Sequence, residues 1–144
     1  MEPLDLTTRP PRSPLESLAG LAFMPRTIDK LRAEMPGGNM GKYLNRADGL
    51  SAFMCKRIGV DMDELRAIVV SAGDENEIAA WLRERVSPEL AVETSAKLAT
   101  MTMDRLPPEF QERVRENHPV LAQRPELNTF FEIFEADDAA AFAP

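Results

Sequence analysis

The sequence predicts an all-α protein: a single compact domain of about seven or eight short helices, preceded by an extended, proline-rich N-terminal arm. Three observations carry this. No stretch alternates apolar and polar residues long enough to make a strand. Apolar residues recur instead at helical spacing, most plainly Leu127, Phe130, Phe131 and Phe134 at i, i+3, i+4 and i+7. Helix start and stop signals also bracket the segments repeatedly. With 144 residues, 44% hydrophobic and 28% charged, the chain fits one domain that buries roughly two-thirds of its unfolded surface, and wholesale disorder is excluded. The single helical domain spans 1–144, with residues 1–12 as the arm and 136–144 as an acidic tail.

Each element follows from local chemistry. Met1–Arg12, "MEPLDLTTRPPR", has no helical period, and Pro10–Pro11 disfavours helix. "SPLE" offers Ser13 as N-cap, Pro14 at the first helical position and Glu16 as the return half of a capping box, predicting a short helix that fades near Gly20. Pro25 opens a second helix ending before Pro36, with Met24, Ile28, Leu31 and Met35 on one stripe. Pro36–Asp48 reads as a Gly- and Asn-bearing loop. Leu50, Phe53, Met54 and Ile58 form the next apolar face, stopped by Gly59. Capping boxes at Asp61 and Asp74 start two further helices, Ser87–Pro88 another, and Pro107–Pro108 one that carries Phe110 and Val114. The last helix follows Pro125.

Charge and cysteine content narrow the function classes. Met1–Arg57 holds nine Lys/Arg against six Asp/Glu, a net of +3, while Ile58–Pro144 holds eight against eighteen, a net of −10. An acidic chain lacks the basic footprint that phosphate backbones require, so nucleic acid is excluded as a partner. The longest apolar stretch, Leu18–Met24, is too short to span a bilayer, and the N-terminus has no apolar signal region. The single cysteine, Cys55, suits a reducing compartment, so the expected setting is cytoplasmic, as monomer or homodimer. Metal sites are not expected: His118 is the only histidine, and the acids Glu132, Glu135, Asp137 and Asp138 read as a solvated acidic terminus. Cys55 reads as a free, partly buried thiol. No cofactor is called for.

One stretch is dense in chemistry: "MPRTIDKLRAEMPGGNMGKY", Met24–Tyr43. Its candidate ligand-binding residues are Arg26, Thr27, Asp29, Lys30, Arg32, Asn39, Lys42 and Tyr43. It is not a phosphate loop, because that motif needs Gly where Pro36 stands, Ser or Thr where Tyr43 stands, and a strand in front. At about 100° per residue, Arg26, Asp29 and Lys30 lie opposite the apolar stripe. On that outer face, alanine at Arg26 or Lys30 would change stability by less than about 0.5 kcal/mol. Arg32 sits about 40° from Ile28 at the stripe's edge, either holding an internal carboxylate or facing a ligand.

The head "LDLTTRPPRSP", the segment "FMPRTIDKLRAEMPGGNMGKY" and the ending "FFEIFEADDAAAF" resemble a family of small bacterial proteins known only as a domain of unknown function. The resemblance runs through most of the chain and is strongest at its two ends. It implies a compact domain and carries no catalytic assignment.

Two readings follow. In the first, Arg26, Lys30 or Arg32 clamps a small anionic or polar metabolite, Gly37, Gly38 and Gly41 admit backbone N–H groups to it, and Tyr43 and Lys30 are the proton carriers of a cofactor-free isomerase, lyase or hydratase. In the second, the chain is a non-catalytic interaction or structural domain, with Arg9 and Arg12 pairing to the C-terminal "EADD" so that the two ends are tied. A concave pocket lined by the polar stretch favours the first; the same side chains consumed in internal pairs favour the second.

Overall fold

The structure is a computed structural model and describes residues 1–43, 45 and 49–144. Among the described residues it contains a two-stranded hairpin, β1 (Ser17–Leu18) and β2 (Leu21–Ala22), and seven α-helices. These are α1 (Met24–Glu34), α2 (Leu50–Ile58), α3 (Met62–Ser71), α4 (Glu75–Arg85), α5 (Pro88–Thr100), α6 (Pro108–Asn117) and α7 (Phe130–Ala141), with short 3₁₀ turns at Met103–Arg105 and Pro119–Ala122. The all-α expectation is met. The loop expected over Pro36–Asp48 is seen as far as Tyr43 and at Asn45; its remainder, at Leu44, Arg46, Ala47 and Asp48, lies outside the described residues.

The caps form as their chemistry dictates. The Asp61 side chain accepts from the N–H groups of Asp63 and Glu64, Asp74 from Glu77 and Ser87 from Leu90. Gly59 ends α2 at φ 73°, the left-handed value that lets the N–H of Val60 reach back to the Cys55 carbonyl at 2.9 Å. The last helix starts later than Pro125 suggests: Thr129 caps it by accepting from the N–H of Glu132 at 3.2 Å. Leu127 is left in the preceding loop, where it is buried nonetheless.

The segment after Ser13 is a correction. The capping-box bond does form, the N–H of Ser13 donating to Glu16 Oε2 at 3.3 Å, but no helix follows it. Ala19 (φ 53°) and Gly20 (φ 77°) both take left-handed conformations, which close a tight hairpin rather than a helical turn. The hairpin is then pinned to α5: Ser95 Oγ accepts from the N–H of Ala22 and donates to the Gly20 carbonyl, both at 2.9 Å. Phe23 enters α1 at φ 72°, a strained value for a bulky residue. Its fully buried ring offsets that strain by stacking on Phe131 and Phe134, with centroids 5.7 and 6.0 Å away.

The main core draws on β2, on α1 through α5 and on Phe131 of α7. A second, smaller cluster of Met103, Leu121, Leu127 and Ile133 joins residues 103–128 to α7. The arm lies extended along the C-terminal end of α1. The N–H of Leu4 donates to the Arg32 carbonyl, Asn39 to Leu4 and Leu6 to Asn39, and Leu6 is buried with Ala33 and Tyr43. α1 is therefore covered by the arm, the hairpin, α3 and α7, and this enclosure sets up the candidate site.

Candidate functional site

Enclosure reverses the expected facing of α1. Arg26, Thr27 and Asp29 are 4%, 0% and 1% exposed, so the face opposite the apolar stripe is interior too, and Arg26 is not an outer-face residue. A buried guanidinium requires a carboxylate. Arg26 finds Asp138 of α7, donating from Nη1 to Oδ2 at 2.7 Å and from Nη2 to Oδ1 at 3.2 Å, with a further Nη1 bond to the Arg12 carbonyl at 3.3 Å. Tyr43 donates its hydroxyl to the same Asp138 Oδ1 at 2.7 Å. The guanidinium carbon also lies 5.6 and 5.5 Å from the ring centroids of Tyr43 and Phe134, close enough for cation–π attraction.

A second ion-pair group lies on the arm side of α1. Asp29 accepts the backbone N–H of Arg12 at 2.8 Å, and its Oδ1 takes the Arg12 Nη2 at 2.9 Å. Arg12 also reaches Glu75 of α4, Nη1 to Oε2 at 3.1 Å. Burial works against the charge on Arg12, but bonds to Glu75 and Asp29 outweigh it and raise its pKa. Ser13 Oγ meets Glu135 of α7. The expected pairing of Arg9 and Arg12 with "EADD" is not made: Arg12 pairs with Asp29 and Glu75 and Arg9 is exposed, while Arg26 and Ser13 reach Asp138 and Glu135 instead.

Nearer the surface, Lys42 Nζ donates to Asp137 Oδ2 at 2.9 Å, and His118 Nδ1 lies 3.3 Å from the same oxygen. The side chains of Lys42 and His118 are 43% and 22% exposed. Asp137 and Asp138 are buried members of α7, so the reading of this end as a solvated acidic terminus is corrected at the two aspartates, whereas Glu132 and Glu135 are exposed. Extending the apolar stripe from Phe130 by i+7 and i+8 lands on both aspartates, which is the sequence signal that locates them. His118 carries no such signal, since it stands before Pro119 between α6 and a 3₁₀ turn.

The remaining predicted residues have local duties. Thr27 Oγ1 donates to the Phe23 carbonyl at 3.0 Å and shares a bond with Ser51 Oγ at 2.9 Å. Asn39 accepts from the N–H of Gly41 at 2.9 Å. A Cβ on Gly38 would stand 2.5 Å from the Ala33 carbonyl oxygen, and one on Gly41 would stand 3.0 Å from that of Leu6, so both glycines serve close backbone packing within the chain. Arg32, half-buried, pairs with no acid among the described residues: its Nε donates to the Glu2 carbonyl at 2.7 Å. Arg32→Ala is therefore expected to cost about 0.5–1.5 kcal/mol, the worth of one net hydrogen bond, as read by urea denaturation.

Two interior groups titrate unusually. Burial, and then the neighbouring Arg26, pull the Lys30 ammonium down to about 8, while Glu34 and Asp138 oppose the shift. Burial and the bond to Asp138 raise the Tyr43 phenol well above its usual range. The unfolded lysine still holds its proton between about pH 8 and 10.5, so the unfolded state binds more protons there and stability gains a rising contribution with pH. Above about pH 10 the unfolded tyrosine loses its proton while the folded one keeps it, which reverses the slope. Urea midpoints from pH 7 to 11 should trace that rise and fall, and Lys30→Met should flatten the rising limb. Cys55 is buried, which pushes its thiol to about 11.

Among the described residues, no group of three or more His, Cys, Asp or Glu is placed to hold a metal, and no helix is long and apolar enough to cross a membrane. A shallow depression of about 360 Å³ lies between α3 and α4, lined by Glu64, Ala67, Ile68, Ser71, Trp81 and Arg85, none of which belongs to the polar stretch.

The class defined by this geometry is an all-α single domain whose polar segment is wrapped inside a cradle of arm and C-terminal helix. Residues 8–140 match the domain-of-unknown-function family DUF5069, and the chain belongs to that family. No curated protein matches the chain.

Proposed function

We propose that the chain is a non-catalytic structural or protein-interaction domain in which the polar segment works as an internal clasp. One observation carries this: Arg26, Thr27, Asp29, Arg32, Asn39 and Tyr43 each bond to a partner within the chain. A group whose bonding capacity is met internally gains little by turning to a ligand, because the exchange strands its buried partner. The clasp joins arm, α1 and α7. The arm's apolar side is occupied by its own domain, so partner contacts fall to the outer faces of the acidic helices, where Val70 and Val92 are exposed.

The test is thermal melting across a panel of anionic metabolites at pH 8, where His118 is neutral. The expected result is no saturable rise in melting temperature; a rise of several degrees would overturn the clasp as the full account. The metabolite-binding reading retains one supporting observation, the two partly exposed basic side chains on Asp137.

A further inference from the structure

We infer that Lys42 and His118, gathered on one oxygen of Asp137, form a proton-linked contact site for an oxyanion, either a carboxylate or a phosphate group. This deepens the metabolite-binding reading. It is separate from the clasp's ion pair: among the described residues neither basic side chain hydrogen-bonds to Arg26, Asp138 or Tyr43, although Lys42 Nζ lies 5.4 Å from the Tyr43 ring centroid.

The argument begins with donors. Asp137 Oδ2 accepts from Lys42 Nζ at 2.9 Å, which uses one of the three N–H groups of the ammonium. The same oxygen lies 3.3 Å from His118 Nδ1. A carboxylate only accepts, so the imidazole proton sits on Nδ1 and the open nitrogen is Nε2. Among the described residues Nε2 has no hydrogen-bond partner, and it is not one of the buried polar atoms left without one. Phe134 holds the ring, its centroid 5.5 Å away. Solvent reaches Lys42 and His118, whereas Arg26 and Asp138 behind them have side chains only 5% and 10% exposed.

Charge then decides when an anion is drawn. With imidazole neutral, Lys42 is balanced by Asp137 and Arg26 by Asp138. Protonation adds one positive charge that neither aspartate offsets and turns Nε2 into a second donor beside the ammonium. The charged groups facing His118 are Asp137 from α7, Lys42 from the loop after α1 and Arg26 from α1. Burial, Lys42 and Arg26 disfavour the imidazolium and Asp137 favours it, leaving the group below its usual pKa. A bound oxyanion adds the missing counter-charge. Reciprocity then requires the anion to raise the His118 pKa by the same free energy with which protonation tightens the anion.

His118 is the only histidine, so its ring protons report the site without ambiguity. The experiment is an NMR pH titration of the full chain in chloride, in phosphate and in succinate at matched ionic strength. Phosphate, succinate or both should raise the His118 pKa by about 0.5 or more over chloride, about threefold in affinity. Lys42→Gln should abolish the rise and Lys42→Arg should keep it. A rise with phosphate alone assigns a phosphoryl group, and with succinate alone a carboxylate. Equal midpoints in all three salts, or a rise undiminished in Lys42→Gln, would overturn the site. Neither result bears on the clasp, which is read by stability.

Discussion

Arg26→Ala is expected to lower stability by about 3–5 kcal/mol, and melting by roughly 10 °C or more in a domain of this size. The substitution does more than remove two bonds. It leaves the Asp138 carboxylate inside the protein with, among the described residues, the Tyr43 hydroxyl at 2.7 Å as its hydrogen-bond donor, and a buried charge without its counter-ion is among the costliest single defects. The cost should be conditional on that stranded acid. Combining Arg26→Met with Asp138→Leu removes both charges and fills the space with apolar volume, so the double variant should recover much of the single variant's loss. Chemical denaturation of wild type, both single variants and the double variant supplies the cycle. If Arg26→Ala melts within a degree or two of wild type, the clasp is not structural.

The second large effect is expected at Asp29. Asp29→Ala should cost about 2–3 kcal/mol and should also release the arm. Asp29 is 1% exposed and accepts both the backbone and the side chain of Arg12. The smaller figure than at Arg26 has a physical cause: the Arg12 side chain is 26% exposed and retains Glu75, so the stranded group recovers water and an acid. Limited trypsin digestion gives the second readout. Cleavage after Arg12 should accelerate in Asp29→Ala more than the global loss of stability requires. Cleavage unchanged relative to a core variant of equal stability would show that Asp29 does not hold the arm.

The helices were legible where local chemistry sets them. Asp61, Asp74 and Ser87 cap in the register their spacing announces, and Gly59 stops α2 for a reason visible in the sequence. Failures came where tertiary structure overrules a local signal. Ser13 and Glu16 make a capping-box bond with no helix behind it, because Ala19–Gly20 turns the chain back onto α5. On α1, a helical wheel supposes that one face meets water, and that supposition fails for a helix covered on several sides; nothing in Arg26 itself announces a partner 112 positions away. The density of Met24–Tyr43 in polar residues is plain in the sequence, whereas the partners that Arg26, Asp29 and Tyr43 find inside the protein are not. Asp137 and Asp138 were readable by extending the Phe130 stripe. His118 was not, since its approach to Asp137 depends on how residues 103–128 fold back over α7.

That return has a consequence for modularity. The excursion leaves and rejoins the body at nearly one point: the N–H of Met103 bonds to the Asn128 carbonyl at 2.8 Å, and that of Phe130 to Met101 at 3.1 Å. Nothing between those two crossings contributes a buried side chain to the main core. Adjacent ends and a separate small core are the conditions under which a segment can be shortened, exchanged or used to host an insert, because loop-closure entropy changes slowly with length. The protein is built as a fixed body with a graftable excursion, and the graft's footprint on α7 includes Ile133, Phe134, Ala136 and, through His118, Asp137.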